Sequence, residues 1–175
     1  MDVLITAFSA FGRFSVNPSI EIGEAVARRV GARFKPVEVS FAAAEALVDG
    51  LEDAPPEVWL MLGVAEETGV VRVERIARNQ AGARVDVRGV GRRQGVIDTA
   101  APASVEGRLF TGIINLPDGA AESDNAGDYL CNYLYLLGTM RLPTTRTGFI
   151  HVAPTERIEP ARQVEIVAAV LHSVL

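Results

Sequence analysis

The chain has 175 residues, 49% of them hydrophobic and 22% charged, with a formal net charge of −5. A chain of that length buries roughly 70% of the surface its unfolded form exposes, so a single domain over residues 1–175 is expected. The acidic balance argues against a broad nucleic-acid surface, the lone cysteine excludes an internal disulfide, and no apolar run reaches the roughly 18 residues of a membrane span.

Met-Asp-Val-Leu-Ile-Thr opens with an acid and no basic run, so Val3 to Ala7 is expected to be a buried first strand and not a signal peptide. The loop F-S-A-F-G-R-F-S-V-N-P-S is unusually rich in phenylalanine for a turn. Asn17-Pro18-Ser19 supplies a cap and a first-turn proline for a helix carrying Ile22, Ala25, Val26 and Val30 on one face. Val37 to Ser40 is expected as a short second strand, leading into a helix with Ala44, Leu47, Val48 and Leu51 as its stripe, stopped by Pro55-Pro56. Val58 to Leu62 is apolar at every position, as a strand covered on both faces must be, and Gly63 is expected to end it.

Val70 to Ala77 is a further strand candidate. Residues 78–108, polar and rich in Gly and Arg without periodicity, predict irregular structure or a mobile loop, and Leu109 to Leu116 a strand. Ser123-Asp124-Asn125 offers cap residues for a helix running to about Leu137 and ended by Gly138. Thr147 to Val152 reads as the last strand and Pro160 to Leu175 as an amphipathic closing helix. Alternating strands and helices predict an α/β fold: a three-layer α/β/α sandwich with a twisted, mostly parallel central sheet. Ligands of such sheets sit at the carboxyl ends of strands, which directs attention to the loops after Ala7, Leu62 and the last strand.

Two residues on that edge bear nucleophile and base chemistry. Cys131, in D-Y-L-C-N-Y-L, is by composition an ordinary buried apolar residue, but it falls in the first turns of a helix, where exposed N–H groups favour thiolate. His151 ends the apolar strand G-F-I-H-V, and a strand following the cysteine helix runs back beside it, so the pair could meet. Glu74, in V-R-V-E-R-I-A-R-N, interrupts a hydrophobic strand and either orients the imidazole or pairs with a neighbouring arginine. His172 lies among apolar helix residues and reads as structural, and G-V-G-R-R-Q-G lacks the frame of a phosphate loop. Neither histidine has a partner at metal-ligand spacing, so no metal is expected.

With those residues in view, the chain resembles pyroglutamyl peptidase I, a family of cysteine exopeptidases, over nearly its whole length. Four blocks carry the resemblance: V-L-I-T-A-F-S-A-F-G with N-P-S behind it, V-E-R-I-A-R-N with A-R-V-D, N-A-G-D-Y-L-C-N-Y, and G-F-I-H-V. The resemblance implies that Cys131 is the nucleophile, His151 the base and Glu74 the acid that orients it. It further implies a lactam ring held between Phe8 and Phe11, with Arg84, Val85 and Leu130 lining the substrate site. Pyroglutamyl peptides are the implied substrates, cleaved through a thioester with no metal or organic cofactor, and no nucleic-acid or membrane partner is expected. A cytoplasmic location and a homo-oligomer, tetrameric in the family, are further expectations. The family's glycine and proline in the first loop are Ala7 and Ala10 here, Asp86-Val87-Arg88 replaces a Pro-Asp-Asn, and the segment from Val87 to Asn125 is short. The alternatives are a non-catalytic small-molecule-binding module on the same scaffold, or a cysteine amidase for another lactam or acylamide.

Overall fold

A computed structural model describes residues 1–12, 17–112 and 115–175. Arg13 to Val16 of the phenylalanine-rich loop, and Ile113 and Ile114 of the expected strand at Leu109 to Leu116, lie outside the described residues. The elements in chain order are β1 (Val3–Phe8), α1 (Pro18–Val30), β2 (Arg33–Val37), α2 (Phe41–Glu52), β3 (Val58–Val64), β4 (Val71–Glu74), β5 (Ile76–Arg78), β6 (Ser104–Glu106), β7 (Ala120–Ser123), α3 (Leu130–Arg141), β8 (Arg146–Val152) and α4 (Pro160–His172).

Six strands form one sheet in the order β2-β1-β3-β8-β4-β7. Every neighbouring pair is parallel except β4 with β8, which run antiparallel. One core, with α1 and α4 against the sheet, collects Ile5, Ile22, Leu60, Leu62, Val73 and Val167. The opposite core, with α2 and α3, collects Phe8, Val48, Trp59, Met61, Tyr135 and Phe149. Alternate residues of β3 feed opposite cores, which is why that strand is apolar throughout. Among the described residues no helix is long and apolar enough to cross a membrane.

Several expected boundaries move. The second strand is Arg33–Val37, an exposed edge carrying Pro36, so it has neither the apolar run nor the alternation that would announce it. Gly63 lies inside β3, and the Val70–Ala77 stretch divides at Arg75 into β4 and β5. Leu109 and Phe110 are buried but not in a strand; they pack over Gly148, and the strand of that region is β7. Gly138 does not end α3: it lies within the helix, where a β-carbon would come 2.6 Å from Trp59 Cζ3, so the glycine lets the helix settle onto β3.

The expected irregular segment 78–108 is bounded by a strand pair, Arg78 ending β5 and Ser104–Glu106 forming β6, too short and exposed to be read from composition. Residues 79–103 between them are in no helix or named strand but are pinned by side chains. Asn79 accepts N–H bonds from Ile97 and Asp98 at 3.0 and 2.9 Å and donates to the carbonyls of Asp98 and Ala101. Asp86 accepts from Arg88 and Val90, and also from Phe41 N at the start of α2. Burial pushes the Asp86 carboxyl up, but the N–H groups of Val90, Phe41 and Arg88 outweigh it and hold the group below the ordinary carboxylate range.

Candidate active site

The cysteine helix starts later than its cap signals suggest. Ser123 is taken up in β7 opposite Glu74, and Asn125 closes a turn onto Gly127 N, so α3 begins at Leu130 with Tyr129 as its cap residue. Cys131 is thereby the second residue of the helix. Tyr129 provides no side-chain cap, which leaves the first N–H groups of α3 unclaimed by a capping side chain. The next residue, Asn132, ties this helix end to the chain after β5: it accepts from Arg78 N at 2.7 Å and donates to the carbonyls of Arg78 and Gln80. Tyr135 donates to the Glu74 carbonyl at 3.0 Å, fixing β4 against the same helix.

The sheet presents the partners of Cys131. In the β4–β8 register Arg72 lies opposite His151, and Glu74 opposite Phe149, so all four side chains leave one face. His151 Nδ1 lies 2.7 Å from Glu74 Oε1. An ionised carboxylate only accepts, so Nδ1 carries the proton and Nε2 is left as the basic nitrogen. Phe149 stacks at 4.8 Å between ring centroids and limits the imidazole's rotation.

Gly63, beside His151 in the parallel β3–β8 register, makes room for the sulfur. A β-carbon there would lie 2.8 Å from Cys131 Sγ and 3.0 Å from Phe149 Cζ. This seat has an electrostatic consequence opposite to the thiolate expected from the helix position. Burial pushes the Cys131 thiol up to about 12, and the charge of Glu74 adds to it. Arg84, the residue's own backbone N–H and Arg72 pull the other way without prevailing. The resting side chain is a neutral thiol.

Cys131 joins two cavities. One, of about 450 Å³, is polar and is lined by Cys131, His151, Arg72, Arg84 and Glu67 among others. The other is a narrow apolar cleft between Phe8, Phe11, Val39, Leu130 and Cys131, with only about 10 Å³ of room. Asn17 steadies its wall by donating to Ser9 O and accepting from Ser19 N.

Of the residues singled out from sequence, Cys131 and His151 therefore share a cavity and Glu74 stands behind His151, fully buried. Phe8, Phe11 and Leu130 line the apolar cleft, and Arg84 reaches the polar cavity while stacking 4.6 Å over the Tyr129 ring. Val85 lines neither cavity: it is 61% exposed, borders a separate depression with Arg84 and Asp86, and accepts from Tyr129 Oη through its carbonyl. Arg72, Tyr129 and Gly63 were missed. The alternation V-R-V-E already puts Arg72 on the same face as Glu74, and that signal could have found it.

Comparison with known proteins agrees with this geometry. The pyroglutamyl peptidase family profile matches residues 1–163. A pyrrolidone-carboxylate peptidase of Lactobacillus acidophilus is 30% identical, the match covering 87% of this chain and 83% of the relative. Another from Thermococcus litoralis is 35% identical, over 87% of this chain and 76% of the relative. The structure of a mutant pyrrolidone carboxyl peptidase from Pyrococcus furiosus superposes with a TM-score of 0.78 at 26% identity, covering 99% of this chain and 98% of that one. The chain belongs to the pyroglutamyl peptidase family.

Proposed function

We propose that this protein hydrolyses the amide bond that follows an N-terminal pyroglutamyl residue, with Cys131 as nucleophile, His151 as general base and acid, and Glu74 as the group that orients His151. The observation that carries this reading is the 2.7 Å Glu74–His151 contact opening onto the cavity that holds Cys131 at the start of α3.

The apolar cleft suits the lactam, which is flat, uncharged and small. Its room of about 10 Å³ is less than a ring requires, so Phe11 and Tyr129 must part as substrate enters. Leu130 and Phe8 then face the ring, and Arg84 stands in the polar cavity on the other side of Cys131.

Because the resting thiol is neutral, His151 Nε2 takes its proton as Sγ attacks the pyroglutamyl carbonyl carbon. The oxyanion that forms is met by the unclaimed N–H groups at the start of α3. Collapse breaks the C–N bond, and the imidazolium returns the proton to the departing amine. A water from the polar cavity, deprotonated by His151, then attacks the thioester and releases pyroglutamate and the free thiol.

The test is release of a fluorescent arylamine from a pyroglutamyl-arylamide, with a prolyl-arylamide as the control that keeps the ring and lacks the lactam carbonyl. Turnover of the first and not the second is expected. Equal rates, or none on either, would overturn the reading. Gly63→Ala in the same assay is expected to lower kcat/KM by about 10²-fold while the fold persists, because the added carbon displaces Sγ from its seat.

A further inference from the structure

Arg72 has no part in the chemistry above, yet it occupies the most charged position near the base. It lies directly opposite His151 in the antiparallel register. Its Nε donates to Glu74 Oε1 at 3.1 Å, and its Nη2 lies 3.5 Å from His151 Nδ1 and 3.5 Å from the Asn125 carbonyl. Its side chain is 31% exposed, whereas that of Glu74 is fully buried. Glu74 Oε1 therefore serves both the imidazole and the guanidinium, while Oε2 is buried without a hydrogen-bond partner.

A buried carboxylate is stable as an anion only beside a compensating cation. With His151 as the only candidate, the carboxylate would be compensated only when the ring is protonated, and a protonated ring cannot accept the proton of Cys131. Arg72 supplies a permanent positive charge to the same oxygen. The other charged or titratable groups of the cavity are Cys131, Tyr129 and Asp128 around the start of α3, Glu66 and Glu67 after β3, and Arg84 from the irregular segment. Glu74 and Arg72 are the pair that reaches Nδ1.

We propose that Arg72 is a positioning residue: by pairing with the buried Glu74 carboxylate it supplies the cation that carboxylate needs, so that Glu74 can orient His151 without requiring a charge on the ring. The inference rests on the assignment of His151 as the base. Arg72 also keeps the ledger neutral during turnover, since thiolate, imidazolium, carboxylate and guanidinium sum to zero when the proton has moved.

The chain has two histidines, so ¹³Cε1-labelled histidine gives two NMR titration curves, and His172→Asn assigns them. With Arg72→Gln, and with Arg72→Met as a second neutral variant, the His151 signal is expected to titrate about one pH unit higher than in the parent. Arg72→Lys, which keeps the charge, is expected to stay close to the parent. The lower limb of the pH–kcat/KM profile should move with the NMR curve, so that activity at pH 6 falls about tenfold while activity at pH 9 changes little. A His151 curve that does not move in either neutral variant overturns the proposal. Repeating the titration in Cys131→Ala, which cannot turn over, separates the two ideas. A shift there with no matching change in the activity profile would leave the charge pairing standing and remove His151 as the base.

Discussion

Cys131→Ala is expected to lower kcat/KM for a pyroglutamyl-arylamide by on the order of 10⁴-fold or more, to the limit of the assay, with little loss of stability. The sulfur sits against Gly63 and lines an existing cavity, so its removal enlarges that cavity and leaves the two hydrophobic cores intact. Cys131→Ser should be nearly as inactive. Its hydroxyl occupies the same partly buried seat within the field of Glu74, where ionisation is disfavoured, and a hydroxyl is the weaker nucleophile. Measuring turnover together with thermal unfolding separates chemistry from folding. Retention of more than a few per cent of the parent rate by either variant would place the nucleophile elsewhere.

Glu74→Gln carries the second large effect, about 10²–10⁴-fold in kcat/KM, for a different reason. The change preserves shape but replaces an acceptor with a group that also donates. If the amide N–H₂ faces His151 Nδ1, the ring must carry its proton on Nε2, and the atom facing Cys131 can no longer accept one. If the amide oxygen faces Nδ1 instead, the N–H₂ takes the place of Oε2, which has no partner in its buried site, and two donors go unmet. Either way Arg72 loses its counter-charge. Rates and melting temperatures measured in parallel decide the matter: a stability loss with less than about tenfold change in kcat/KM would show Glu74 to be only the ion-pair partner of Arg72.

That ion pair illustrates what could be seen in the sequence and what could not. The position of Glu74 in a hydrophobic strand left two readings, an orienting acid or an arginine partner, and the structure satisfies both on a single oxygen. The strand alternation placed Arg72 and Glu74 on one face, but only the antiparallel pairing of β4 with β8 sets Arg72 against His151, and pairing partners are not written in either strand alone. The central strand was legible because both its faces are buried, whereas the edge strands Arg33–Val37 and Ala120–Ser123 carry too little apolar pattern to declare themselves. The helix position of Cys131 was legible as well. The state of its thiol was not, because what raises it, first the burial of the sulfur and then the charge of Glu74, is set by elements far away in sequence.

The narrow apolar cleft and the open polar cavity share Phe11, Val64, Tyr129 and Cys131 as a common border, and this imposes an order on the proposed reaction. While the acyl group fills the cleft, the polar cavity is a route shared by the amine on its way out and the water on its way in. The freed peptide must vacate before the thioester can be cleared, so the first product behaves as a plug and the acyl group as a passenger that disembarks last. On the proposed mechanism, clearance of that shared route joins the strength of the nucleophile in setting how quickly the thiol is returned for another round.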